Sequence, residues 1–110
     1  MTASMSKRGR SWCVLFATAG AVAAAQAQDA QTLASAGLAA TCAACHGTQG
    51  RAITAAAVPG LAGMPAGYLS EQMKSFKAGT RQATVMHQLA RGYSDAQIEQ
   101  LAAYFAAQKK

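Results

Sequence analysis

Apolar residues along the chain form one dense N-terminal run and then several stretches with helical periodicity. Residues 11–25 are mostly apolar and directly follow a short basic cluster. In residues 29–41, Ala and Leu occur at a density that favours a first helix. The spacing predicts that one face of this helix carries Leu33, Ala34, Gly37 and Leu38.

Two later segments show clearer helical signals. Residues 66–78 place Leu69, Met73 and Phe76 on one predicted face, with Gly79 positioned to end the helix. Residues 94–97 have the S-x-x-Q form of a capping box, and apolar residues at helical spacing follow it, which predicts a last helix from about 95 to 107. A shorter helix is predicted at about 82–91. Because strand-like alternation is missing from the sequence, the predicted fold class is all-α.

A long loop separates the first two predicted helices. Seven Gly and Pro residues punctuate residues 47–67, too densely for a regular element. Loops of this length in compact domains usually serve a function. We expect this one to wrap a bound group.

The N-terminus has the form of a secretory signal peptide. Lys7, Arg8 and Arg10 precede the apolar run, which ends in the A-x-A site formed by residues 25–27. We predict that residues 1–27 are cleaved and that residues 28–110 form one periplasmic domain without a membrane span. An uncleaved N-terminal anchor is the alternative.

Charge excludes one class of partner. The whole chain carries a net charge of +6, but residues 28–110 contain seven basic and four acidic residues, or +3. Nucleic-acid motifs and basic stretches with interleaved aromatic residues are missing, so we expect no nucleic-acid partner.

The chemistry is concentrated in residues 42–46, which read C-A-A-C-H. C-x-x-C-H is the attachment pattern of a c-type haem, in which two thiols add to the haem vinyl groups and the next imidazole ligates iron. The pattern therefore predicts that Cys42 and Cys45 bind one haem c covalently and that His46 is an iron ligand. A thioredoxin-like redox pair, half of a zinc site and a local disulfide are the alternatives. The first lacks a preceding strand and the second lacks further cysteines downstream.

A second iron ligand has to come from elsewhere in the chain, and spacing leaves it open among Met64, Met73, Met86 and His87. Pro59 is a candidate to accept the Nδ1 proton of the histidine through its backbone carbonyl, or is simply part of a turn. The three tyrosines are candidates to bond a haem propionate or to pack in the core. They are Tyr68, Tyr93 and Tyr104.

Three stretches of the chain resemble class I c-type cytochromes, and most closely the monohaem cytochrome subunits of flavocytochrome c sulfide dehydrogenases. They are ATCAACHGTQG (40–50), VPGLAGMPAGYLSEQMKSFKAGTR (58–81) and TVMHQLARGYSDAQIEQLAAYFAAQ (84–108). The resemblance implies the small class I cytochrome c fold, in which the first and last helices cross beside the haem. It further implies that His46 and Met86 ligate iron and that the Pro59 carbonyl holds His46.

The same resemblance implies a function in electron transfer. The expected role is that of a haem subunit that accepts electrons from an FAD-containing, sulfide-oxidising flavoprotein and passes them to a downstream acceptor. A catalytic site of its own is not expected. A free electron-shuttle cytochrome is the first alternative, and a haem sensor or enzyme with an open distal site is the second.

Overall fold

The computed structural model describes residues 10–52 and 57–110, with side chains from residue 23 onward. Within these ranges the chain forms five α-helices and two 3-10 turns but no strand, which confirms the all-α class. The helices are α1 (Arg10–Ala40), α2 (Ala43–His46), α3 (Ala66–Ala78), α4 (Met86–Leu89) and α5 (Asp95–Ala106), and the turns are Thr48–Gly50 and Ala90–Gly92.

The chain divides into two compact units, Met1–Leu33 and Ala34–Lys110, and α1 contributes residues to both. In the first unit the side chains from residue 23 to residue 33 are exposed. Lys7 and Arg8 of the predicted signal peptide lie outside the described residues. In the part of the chain that is described, helices long and apolar enough to cross a membrane do not occur.

Helix α1 extends upstream of the predicted start at residue 29, and its predicted face is wrong. Leu33 is 73 % exposed, and Ala34 and Gly37 are exposed as well. The buried side of the helix instead carries Leu38 and Ala39, so it is shifted by about one residue from the predicted face. An alanine-rich helix has little contrast between its sides, so tertiary contacts choose the buried face.

Helices α3 and α5 begin and end where local signals predict. Gly79 ends α3 in the left-handed conformation, with φ at 77°, and its N–H donates to the carbonyl of Phe76. At the start of α5, the Ser94 hydroxyl accepts from the Gln97 N–H, and the Gln97 side chain accepts from the Ser94 N–H. Both caps satisfy backbone groups that a helix end leaves without partners.

The core lies mainly between α3 and α5, with the end of α1 beside them. Leu69 of α3 belongs to the same buried cluster as Ala39 of α1 and three residues of α5, namely Leu101, Ala102 and Phe105. A hydrogen bond of 2.9 Å from Gln100 Nε2 to Ser35 Oγ also joins α5 to α1. The first and last helices therefore meet in the core, as the resemblance implies.

The short helix predicted at 82–91 is only partly present. Residues 81–85 are not helical, α4 begins at Met86, and its helical path continues as the 3-10 turn Ala90–Gly92. Both elements pack against α3. Thr84 and Val85 carry β-branched side chains that lose rotamer freedom in a helix, which disfavours an earlier start.

Candidate functional site

The C-x-x-C-H motif forms a single helical turn directly after α1. The His46 N–H donates to the carbonyl of Cys42 at 2.9 Å, which closes the turn Ala43–His46. His46 is 8 % exposed and is one of two buried polar residues in the described chain. The local fold therefore takes the imidazole out of water.

A hydrogen bond sets the orientation of the buried imidazole. His46 Nδ1 lies 2.7 Å from the backbone oxygen of Pro59. A carbonyl oxygen can only accept, so Nδ1 carries a proton, and in the neutral imidazole the free lone pair is then on Nε2. This is the arrangement that metal-bound histidines commonly show, with one ring nitrogen held by the protein and the other free to bind.

The loop around Gly50 brings Pro59 close to His46. The Gly50 carbonyl accepts from the N–H groups of Leu61 and Ala62, at 2.7 and 3.1 Å. Gly50 has φ at +76°, and a Cβ on it would lie 2.8 Å from Cδ1 of Phe105. Only glycine fits there without displacing the core, so the loop depends on the residue type at this position.

Both cysteines of the motif are free thiols, one half-buried and one exposed. Burial raises the pKa of the Cys42 thiol above its ordinary value, and nearby Cys45 acts in the same direction. A weak contact of 3.8 Å with Thr41 Oγ1 partly offsets that rise in pKa.

The candidates for the second ligand lie on different elements. Met86 is half-buried at the first position of α4, and Met73 is half-buried on α3. Met64 packs against the core cluster. His87 is half-buried, and its Nδ1 is the one buried side-chain N or O atom without a hydrogen-bond partner in the described chain.

His87 faces a cavity of about 200 Å³ between the end of α3 and α4. The other lining residues are Gly79, Arg81, Gln82, Ala83 and Arg91, and Met86 is not among them. Since successive residues of a helix point about 100° apart, the Met86 and His87 side chains point in different directions.

One contact near the motif could not be read from the sequence. The hydroxyl of Tyr93 lies 2.8 Å from Oγ1 of Thr41, the residue before Cys42. The two residues are 52 positions apart, and no periodic or local signal connects them. Tyr104, in contrast, packs edge-on against Phe105 with ring centroids 5.2 Å apart. Tyr68 is 47 % exposed.

The described residues fit a bulky, covalently held haem. Among them, half of the eight buried hydrophobic residues are alanines, and Ile98 is the one large side chain that is fully buried. A core of this size is marginal for a domain of under 100 residues, and a large apolar group would complete it. Two free thiols and an imidazole with an available Nε2 are the donors that haem c requires.

Comparisons with known proteins point to the same cofactor. The Cytochrome c family profile matches residues 27–109. The chain is 44 % identical over 68 residues to a thiosulfate dehydrogenase electron acceptor of Thiomonas intermedia, covering 62 % of this chain and 31 % of that protein. It is 40 % identical over 72 residues to cytochrome c-554(548) of Halomonas halodenitrificans, covering 63 % of this chain and 86 % of that protein.

Two further similarities concern a subunit and a fold. The cytochrome subunit of sulfide dehydrogenase of Chlorobaculum tepidum is 37 % identical over 65 residues, covering 59 % of this chain and 57 % of that protein. A cytochrome c4 structure from Acidithiobacillus ferrooxidans superposes with a TM-score of 0.56 at 39 % identity, covering 60 % of this chain and 37 % of that one. The chain thus spans about a third of the Thiomonas protein and somewhat over half of the Chlorobaculum subunit.

The family match extends over most of the chain, and the helical fold agrees with it. We conclude that the chain belongs to the cytochrome c family of class I c-type cytochromes, electron-transfer proteins that carry a covalently attached haem c.

Proposed function

We propose that Cys42 and Cys45 carry the thioether links of haem c and that His46 and Met86 are its axial iron ligands. The observation that carries this assignment is the hydrogen bond between His46 Nδ1 and the Pro59 carbonyl. It leaves Nε2 as the one ring nitrogen able to bind a metal. Most of the His46 residue is buried, but Nε2 is not among the fully buried polar atoms without a partner in the described chain, so it stays accessible to a bound group.

Two observations favour Met86 over His87 as the second ligand. The His87 side chain lines the cavity that Arg81 and Arg91 also line. Met86, one position earlier, does not line that cavity. Haem c with two protein ligands supplies one-electron exchange between ferric and ferrous iron without binding a substrate.

Substitution of the candidate ligands tests this assignment. Thioether ligation gives ferric haem c a weak charge-transfer band at the red end of the visible spectrum and raises the reduction potential. We expect Met86→Ala to abolish the band and lower the potential. The controls His87→Ala, Met64→Ala and Met73→Ala should keep the band. If the band survives in Met86→Ala and is lost in one of the controls, the assignment to Met86 is wrong.

We further propose that the protein is the periplasmic haem subunit of a sulfide dehydrogenase and accepts electrons from an FAD-containing subunit. The names of two relatives support this proposal, one being the cytochrome subunit of sulfide dehydrogenase and the other a thiosulfate dehydrogenase electron acceptor. A single haem accepts one electron at a time, which suits a flavin that releases its two electrons singly.

A free electron shuttle is the second candidate. The match to this chain covers 86 % of cytochrome c-554(548). That relative is therefore a cytochrome that extends little beyond the matched region. A shuttle would meet its partners through small, charge-steered contacts that weaken as salt screens them. A stable subunit would bury upward of roughly 1,200 Å² of surface and resist salt.

Purification from the native periplasm at high ionic strength separates the two candidates. We expect the haem protein to elute together with a flavoprotein, and we expect sulfide to reduce the haem of that complex. The same fraction treated with thiosulfate is the control for substrate class. Elution as a monomer that no flavoprotein fraction reduces with sulfide would contradict the subunit proposal and leave the shuttle.

A further inference from the structure

The hydrogen bond between Thr41 and Tyr93 joins the two segments that hold the proposed ligands. Thr41 immediately precedes Cys42, and Tyr93 directly follows the 3-10 turn Ala90–Gly92, which continues α4. The two hydroxyl oxygens are 2.8 Å apart. One contact therefore connects the motif of His46 with the segment of Met86.

The direction of this hydrogen bond follows from a count of protons. Thr41 Oγ1 is also 2.8 Å from the carbonyl oxygen of Leu38. A carbonyl can only accept, so the single hydroxyl proton of Thr41 is donated to Leu38. The Tyr93 hydroxyl is thus the donor to Thr41 Oγ1. Removal of the Tyr93 hydroxyl alone should break the contact.

The segment that precedes Tyr93 packs against α3, but the protein atoms alone bury little of it. Of residues 84–93, Ala90 alone is buried. Val85 and Leu89 on either side of Met86 are 49 % and 48 % exposed. Tyr93 itself packs half-buried against the core cluster, as does Cys42. Because the aromatic ring packs and the hydroxyl bonds, a Phe at this position would keep the first interaction and lose the second.

We propose that Tyr93 is a positioning residue whose hydrogen bond to Thr41 holds the Met86 segment against the haem-attachment motif and so restrains Met86 from leaving the iron. The inference rests on the proposed ligation by Met86. Release of Met86 would open the distal iron position to small external ligands. The apparent affinity for such a ligand reports the fraction of molecules in which the position is open.

Titration of the ferric holoprotein with imidazole, far below its unfolding temperature, tests this role. We expect Tyr93→Phe and Thr41→Val each to bind imidazole about fivefold more tightly than wild type, the effect of one typical hydrogen bond. The double variant should match Thr41→Val, since both lack the bond to Tyr93 and the bond from Thr41 to the Leu38 carbonyl. Thr41→Ser keeps the hydroxyl and should behave as wild type.

Tyr104→Phe is the matched control, because Tyr104 packs half-buried against the same cluster and its hydroxyl makes no hydrogen bond among the described residues. It should leave imidazole binding unchanged. A purely structural role for Tyr93 would lower the unfolding temperature but not alter imidazole binding by the folded protein.

The outcomes separate this inference from the ligand assignment. A wild-type protein without the red charge-transfer band would overturn ligation by Met86 and, with it, the role of Tyr93. If the band is present and depends on Met86, but Tyr93→Phe binds imidazole as wild type does, the role of Tyr93 alone is refuted. Additive effects in the double variant would also refute it, because they would show two independent interactions.

Discussion

Gly47, the residue after His46, adopts a backbone conformation that side chains do not tolerate. Its φ is 82° and its ψ is 160°, a region occupied essentially by glycine alone. A Cβ on Gly47 would lie 2.0 Å from the carbonyl oxygen of Arg51. The end of the motif thus requires glycine.

We predict that Gly47→Ala lowers the free energy of unfolding by about 1–3 kcal/mol, the cost of a strained residue. Gly67→Ala is the matched control. Gly67 lies in α3 with open space around it, and the better helix propensity of Ala should raise stability by at most about 1 kcal/mol. Urea unfolding followed by haem absorbance measures both. Equal stability of the two variants would show that Gly47 is not strained.

At the scale of elements, charged pairs add to the apolar contact between α3 and α5. Lys74 of α3 pairs with Glu99 of α5, and Lys77 pairs with Asp95 at 2.7 Å. Ser70 also donates to Glu99, at 2.6 Å. The hydrogen bond from Lys74 is the main reason that the pKa of Glu99 lies below its ordinary value, and the bond from Ser70 adds to it. Exposed pairs of this kind stabilise proteins only slightly.

Because the pKa of Glu99 is lowered, we predict that its contribution to stability depends on pH. A carboxylate with a lowered folded-state pKa stabilises the fold above its ordinary value of 4.5, and this contribution is lost as pH falls through the lower folded-state value. Glu99→Gln should therefore unfold at a slightly lower temperature than wild type at pH 7, and the difference should shrink as the solution is acidified well below pH 4.5. Thermal unfolding across this range measures it.

Glu71→Gln serves as the control for that experiment, since Glu71 lies on α3 and forms no ion pair among the described residues. It should show no comparable loss at pH 7. If the unfolding temperature of Glu99→Gln is as far below that of wild type at pH 3 as at pH 7, the ionised form of Glu99 is not the source of the stability.

At the scale of the whole molecule, every residue that the structure describes as buried lies in the unit Ala34–Lys110. In the described chain the first buried residue is Ala39 and the last is Phe105. The side chains from residue 23 to residue 34 are exposed. Residues 23–27, the part of the predicted signal peptide whose side chains are described, are among these exposed residues.

We predict that the exported protein begins at Gln28 and that residues 28–110 unfold at the same temperature as the whole chain. Intact-mass measurement of the periplasmic protein tests the first point, and thermal unfolding of the two forms tests the second. Ala27→Arg disrupts the A-x-A site and should block processing. A periplasmic protein that keeps residues 1–27 would contradict the cleavage prediction. A markedly lower unfolding temperature for 28–110 would contradict the second.

The amount of structure that could be predicted from the sequence depended on how local its signals are. The bounds of α3 and α5 were predicted to within about one residue because Gly79 and the Ser94 capping box act within a single helical turn. The face of α1 was predicted wrongly because half of residues 29–40 are Ala or Gly, which leaves little contrast between the sides of the helix. The start of α4 was placed too early for lack of a capping signal near residue 85.

By itself, the sequence determined the cofactor class, the all-α fold and the ends of the principal helices, since each follows from residues only a few positions apart. The tertiary structure decided between the two readings of Pro59, whose carbonyl meets His46 13 residues away, and it alone decided which hydroxyl meets Thr41, 52 residues away in Tyr93. Such contacts depend on how the loop and the helices close around a shared core. The entropic cost of closing these loops is offset by contacts from the whole domain. The partners of such long-range contacts are therefore not encoded in any local pattern.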